Sequence, residues 1–175
     1  MDIRSIIAPK ILGLEALGEF AEALIDRAPE IEGDVARLRK APENRDITAS
    51  LFRAVHNIKG DASLCKFELA IAIAHPIETI LARVREGTVP FSELLAETIL
   101  LAVDRLEFAT DALLARKPLE NLNLAFLIQG LEALAEESTE EIDAACADLI
   151  EALTGFPPVI PEISSRAPQS STPNP

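Results

Sequence analysis

Apolar positions recur at steps of three and four along most of the chain, with almost no strand-like alternation, so the pattern reads as helix after helix. Residues 3–23 are apolar and alanine-rich but broken at Pro9 and interrupted by Gly13 and Gly18, which predicts one or two short helices. Leu24, Ala28, Ile31, Val35 and Leu38 then mark one face of a longer helix that Pro29 and Gly33 should weaken or kink. The stretch APENRD (41–46) reads as a loop, with Asp46 or Thr48 as cap for a helix over about 47–64. Its buried stripe is Leu51, Val55, Ile58 and Ala62. A third helix covers 67–86, with Leu69, Ile73, Ile77, Ile80 and Val84 inward, a kink expected at Pro76 and a stop at Gly87. A fourth spans 92–116 and a fifth 122–136. STEE (138–141) reads as a capping box for a further helix ending near Leu153, with Gly155 as its stop.

Short connections make successive helices antiparallel neighbours. The expected fold is therefore all-α, an up-down antiparallel four-helix bundle core with additional N- and C-terminal helices. The chain divides into an N-terminal helical extension (1–23), the bundle (24–136), an extra C-terminal helix (137–155) and a tail (156–175). That tail holds six of the twelve prolines among Ser and Thr, a composition expected of a disordered tail or linker.

Composition narrows the function classes. At 175 residues there is material for one domain with a real core, and the absence of Trp and Tyr favours aliphatic helix packing. A formal charge of −13 argues against nucleic acid, which needs a basic stripe. No apolar run approaches the roughly 18 residues of a membrane span, and MDIRSIIAPK is too short in apolar residues for a secretory signal. Cys65 and Cys146 lack metal-type spacing and read as buried thiols of a reducing cytoplasm.

The chemistry-bearing stretch is FRAVHNIKGDAS (52–63). At about 100° per residue His56 lies roughly 130° from the centre of the Leu51/Val55/Ile58/Ala62 stripe, facing solvent or a shallow groove. Gly60, at i+4, costs helix stability but clears an approach to the imidazole. Lys59, at i+3, places an ammonium near anything attached to the ring. A neutral imidazole is a nucleophile near pH 7, so this is a candidate phosphoryl acceptor. In AIAHPIETI, His75 and Glu78 share a helix face that an antiparallel pairing can set beside His56. Glu78 could then accept a hydrogen bond from one ring nitrogen and aim the other outward. His75 could flank the site or join contacts between helices. A rival reading takes His56, His75 and Glu78 as metal ligands, with Glu97 and Asp104 contributing. Lys59 opposes a cation there, and the paired Glu-x-x-His motifs of di-iron bundles are missing.

The runs LFRAVHNIKGDASLCKF and IAHPIETILARVREG resemble the histidine phosphotransfer (HPt) domain, and more narrowly the P1 domain of CheA chemotaxis kinases. Phe52, Arg53, His56, Lys59, Gly60, Ala62, Phe67, His75 and Glu78 occupy that family's pattern. The resemblance implies that His56 is phosphorylated, that Lys59 assists and that Glu78 hydrogen-bonds the imidazole. Phe52, Arg53, Gly60 and Ser63 are the expected partner-binding residues. It also implies a CheA-type kinase catalytic domain as donor and a CheY-like receiver domain of a response regulator as acceptor. No cofactor is expected on this chain, ATP and Mg2+ being supplied by the partner, and without a glycine-rich nucleotide loop the chain is no kinase alone. The alternative is a non-catalytic helical interaction or scaffold protein with an incidental surface histidine.

Overall fold

The computed structural model describes residues 13–159. The first helix, α1, runs unbroken over Leu14–Lys40. The break expected near Leu24 is absent, because Leu17, Phe20 and Ala21 extend the Leu24/Ala28/Ile31 stripe backward and bury with it. Residues 14–23 therefore belong to the bundle, and the rest of the expected extension lies outside the described residues. Pro29 is inside α1 on its exposed side without ending it.

Helix α2 covers Arg45–Leu64 and is capped earlier than expected. Asn44, rather than Asp46 or Thr48, accepts from the backbone N–H groups of Asp46 and Ile47, both at 3.1 Å. Helix α3 covers Glu68–Glu86, passes through the buried Pro76, and ends at Gly87, whose left-handed φ of 78° only glycine adopts cheaply. Helix α4 covers Glu93–Leu114 behind a Ser92 cap, α5 Leu124–Glu136 and α6 Ile142–Thr154. Of the expected capping box only half forms: Ser138 Oγ accepts from Glu141 N–H at 3.3 Å, and the helix starts at Ile142.

Residue pairs set the directions. Phe20 at the start of α1 packs edge-on against Phe67 just before α3, with ring centroids 5.1 Å apart. Early Phe52 in α2 meets late Arg85 in α3, and late Arg39 in α1 meets early Glu93 in α4. Helices α1–α2, α2–α3 and α1–α4 are thus antiparallel neighbours, forming the expected up-down bundle. The α5/α6 pair packs α5 against α3 and α6 against α4, where α3 and α4 themselves touch little. Arg83 donates to the carbonyl of Ala135, and Arg105 to that of Leu153, both at 3.1 Å, tying this pair down. A Cβ on Gly130 would run into the Leu149 side chain, so glycine there lets α5 and α6 approach closely. Leu127, Leu131, Ile142 and Leu149 join one continuous core with α1–α4, so the C-terminal pair is a structural part of the domain. Both cysteines are buried and free, with burial pushing the Cys146 thiol up to about 11. No helix among the described residues is long and apolar enough to cross a membrane.

Candidate functional site

The apolar stripe of α2 turns Leu51, Val55, Ile58 and Ala62 into the core and leaves Phe52, His56, Gly60 and Leu64 on another face, each four residues from the next. The His56 side chain is 57% exposed, whereas Glu78, rising from α3 behind it, is only 12% exposed. Glu78 Oε1 lies 2.6 Å from His56 Nδ1. A carboxylate can only accept, so Nδ1 carries the proton and donates it, and the lone pair of the neutral ring sits on Nε2, away from Glu78. The second oxygen, Oε2, accepts from Lys59 Nζ. Desolvation alone would push the Glu78 carboxyl up. The hydrogen bonds from Lys59 and His56, with their charges, outweigh it and hold the group below the usual carboxylate range.

Three residues expected from sequence thus meet: His56, Lys59 and Glu78. Lys59 reaches the carboxylate rather than standing free beside the ring, so it fixes Glu78 as Glu78 fixes His56. His75 does not join them. It is exposed and lines a groove between α3 and α5 with Pro76, Thr79, Glu132 and Ala135. One turn from Glu78 along α3, it has rotated toward the side that α5 flanks. Glu97, considered as a metal ligand, pairs instead with Arg39 on the α1/α4 side. Among the described residues no group of three His, Cys, Asp or Glu side chains is arranged to hold a metal ion.

Of the expected partner-binding residues, Arg53, Gly60 and Ser63 are exposed and Phe52 is half-buried. A Cβ at Gly60 would meet nothing within 4 Å, so that flank of the imidazole is open. Arg53 is exposed, and Ser63 is exposed with its hydroxyl donating to the carbonyl of Lys59 at 2.8 Å. Phe52 is half-buried and nearly parallel to the His56 ring, with centroids 6.2 Å apart and 12° between planes. Two neighbours were missed from sequence. Leu64, 80% exposed, extends the Phe52/His56/Gly60 line by one turn with unpartnered apolar surface. Arg85 sits with its guanidinium carbon 4.4 Å from the Phe52 ring centroid. Its signal was legible: seven residues after Glu78 is two turns, which returns to the same face of α3.

Residues 22–109, which include His56, Lys59 and Glu78, match the model of the Hpt domain. The chain belongs to the Hpt domain family. Among curated relatives it is 27% identical over 128 residues to the chemotaxis protein CheA of Rhizobium meliloti, covering 73% of this chain and 17% of that protein. It is 24% identical over 90 residues to the sensor histidine kinase CheAY of Helicobacter pylori, covering 51% of this chain and 11% of that one. The matched region is therefore a small part of each longer relative. Among solved structures, the phosphorylated P1 domain of CheA3 in complex with CheY6 from R. sphaeroides has the same fold, with a TM-score of 0.59 and 22% identity. That likeness covers 71% of this chain and 98% of the other.

Proposed function

We propose that this chain is a histidine phosphotransfer module of two-component or chemotaxis signalling, in which His56 takes a phosphoryl group from a kinase and passes it to a receiver aspartate. The observation that carries the reading is the Nδ1–Glu78 hydrogen bond of 2.6 Å on an imidazole whose other nitrogen faces outward. Nε2 attacks the γ-phosphorus of ATP held by a CheA-type catalytic domain. The Nε2–P bond forms as the bond to the bridging oxygen breaks, and ADP leaves. Nδ1 keeps its proton, so the ring becomes cationic, and the Glu78 carboxylate against Nδ1 stabilises that charge. Lys59 keeps Glu78 ionised and in place. In the second step a carboxylate oxygen of a CheY-like receiver attacks phosphorus, the Nε2–P bond breaks, and the imidazole returns neutral. ATP and Mg2+ come with the partners. Because both partners act in the cytoplasm, so does this chain.

The line of Phe52, Gly60 and Leu64 around the ring suits transient docking of a partner surface. The names of the CheA relatives and of the phosphorylated P1 complex support the same reading. Incubating the chain with a CheA-type kinase domain and γ-labelled ATP tests it: the chain should take up label, and His56→Gln should take up none. Label retained on His56→Gln would refute the assignment.

A further inference from the structure

In the resting site the cation nearest in sequence to His56 is already committed, because Lys59 Nζ donates to Glu78. A phosphoryl group on Nε2 would bring about two negative charges beside that carboxylate, and another cation is needed to face them. Arg85 has the right placement. Its guanidinium lies over Phe52, 4.4 Å from the ring centroid, and Phe52 is one helical turn from His56 and stacked along it. Stacking on an aromatic face uses none of the five N–H donors, which lie in the guanidinium plane. Arg85 forms no hydrogen bond or ion pair to a carboxylate among the described residues and is exposed. Half-buried Phe52, one turn from the nucleophile, thus carries on its ring an unspent, planar, phosphate-matched cation.

We infer that Arg85, held on Phe52, is the phosphoryl-binding arginine of this site, engaging the phosphoryl oxygens when His56 carries them. The inference rests on the phosphotransfer reading. It predicts that the guanidinium swings from the Phe52 face onto the phosphoryl group, while Lys59 and Glu78 stay paired behind the ring.

The test uses potassium phosphoramidate as the donor, so that no partner protein contributes. Nε2 attacks its phosphorus, the P–N bond breaks and ammonia leaves, giving the same phosphohistidine. In the wild-type chain the Arg85 Nε–Hε resonance should move on phosphorylation, and Arg85→Ala should slow phosphorylation by about tenfold, the loss expected of one charge-assisted contact. Arg85→Lys, which keeps charge without the planar fork, should fall between the two, and Phe52→Leu should slow the reaction without removing the guanidinium. Circular dichroism of each variant reports folding, and the Arg85 resonance in wild type decides the matter if a variant unfolds. Wild-type phosphorylation at His56 with an unmoved Arg85 resonance would overturn the inference and leave the phosphotransfer reading standing. No phosphohistidine in the wild type under conditions that phosphorylate free imidazole would sink both.

Discussion

Two faces of the bundle are built alike and charged differently. On the α2/α3 face one carboxylate, Glu78, has two donors, so its charge is favoured despite partial burial. On the α1/α4 face carboxylates crowd one another. Burial, then Glu32 and Glu97, push the Asp104 carboxyl up against the pull of Arg105. Burial, then Asp104, Glu32 and Asp111, do the same to Glu107. Arg39 answers only the end of that row, with Glu93 at 2.8 Å and Glu97 beside it. Both faces are seams between antiparallel helices over the same aliphatic core. The pairing of one acid with a histidine and a lysine, rather than the fold, is what makes one face a chemical site.

Removing Glu78 should produce the largest effect. Glu78→Ala leaves Nδ1 without its acceptor and Lys59 without its partner, so Nε2 is no longer fixed outward. Phosphorylation should fall by about a hundredfold, within the range of positioned acid–base groups, with helical circular dichroism unchanged. Unfolding instead would make Glu78 a structural residue. The pH dependence follows from its lowered pKa. The stability Glu78 contributes is fully present above the ordinary carboxylate range and is lost as pH falls through its lower folded value. Thermal melts of wild type and Glu78→Ala should therefore converge only in strong acid.

Gly60 sharpens the comparison from the side of access. An alanine there meets nothing within 4 Å, so Gly60→Ala should raise stability by about 0.5–1 kcal/mol through helix propensity. The added methyl stands where the partner must approach His56. Phosphorylation by phosphoramidate should be unchanged while transfer to a receiver slows by about tenfold, the equivalent of one poorly fitted contact. An unchanged rate of transfer to the receiver would mean that the open flank at Gly60 plays no part in docking.

Most of the fold was legible because aliphatic residues at helical spacing leave little choice about which face goes inward. Leu51, Val55, Ile58 and Ala62 bury as their spacing requires. What escaped depended on neighbours in space. Gly18 looked like an interruption of the first helix, but Leu17, Phe20 and Ala21 reach core partners and carry α1 through it. The extra helices looked appended until Leu127, Leu131 and Leu149 proved to share the one core. At the site, His56 and Glu78 could be paired by assuming antiparallel helices, yet the same assumption left His75 on either side. Its place is set by α5, more than 50 residues away in sequence, whose Glu132 and Ala135 wall the groove it lines. Arg85 lies on the Glu78 face of α3 by its spacing, but its partner is an aromatic face, so no charge pattern marks the contact.

The smallest expected effect lies on the α1/α4 face and tests whether its charges belong to stability alone. A carboxyl whose folded pKa is raised costs stability while ionised, and that cost disappears as pH falls below its unfolded value. Replacing both acids, Asp104→Asn with Glu107→Gln, should therefore stabilise the chain at pH 7 and lose that effect only below about pH 3, where both carboxyls are protonated folded and unfolded alike. These groups are partly in contact with solvent, so screening limits the gain to about 0.5 kcal/mol, or roughly 1–2 °C in Tm for a chain of this size. Added salt should shrink the difference further, since it screens the repulsion that the substitutions remove. Phosphorylation of His56 should be unaltered, because no contact links this row of acids to Glu78 or Lys59 among the described residues. A double variant that loses phosphorylation while gaining stability would show that the two faces are coupled through the core, and the division of the bundle into a chemical and an inert face would fail.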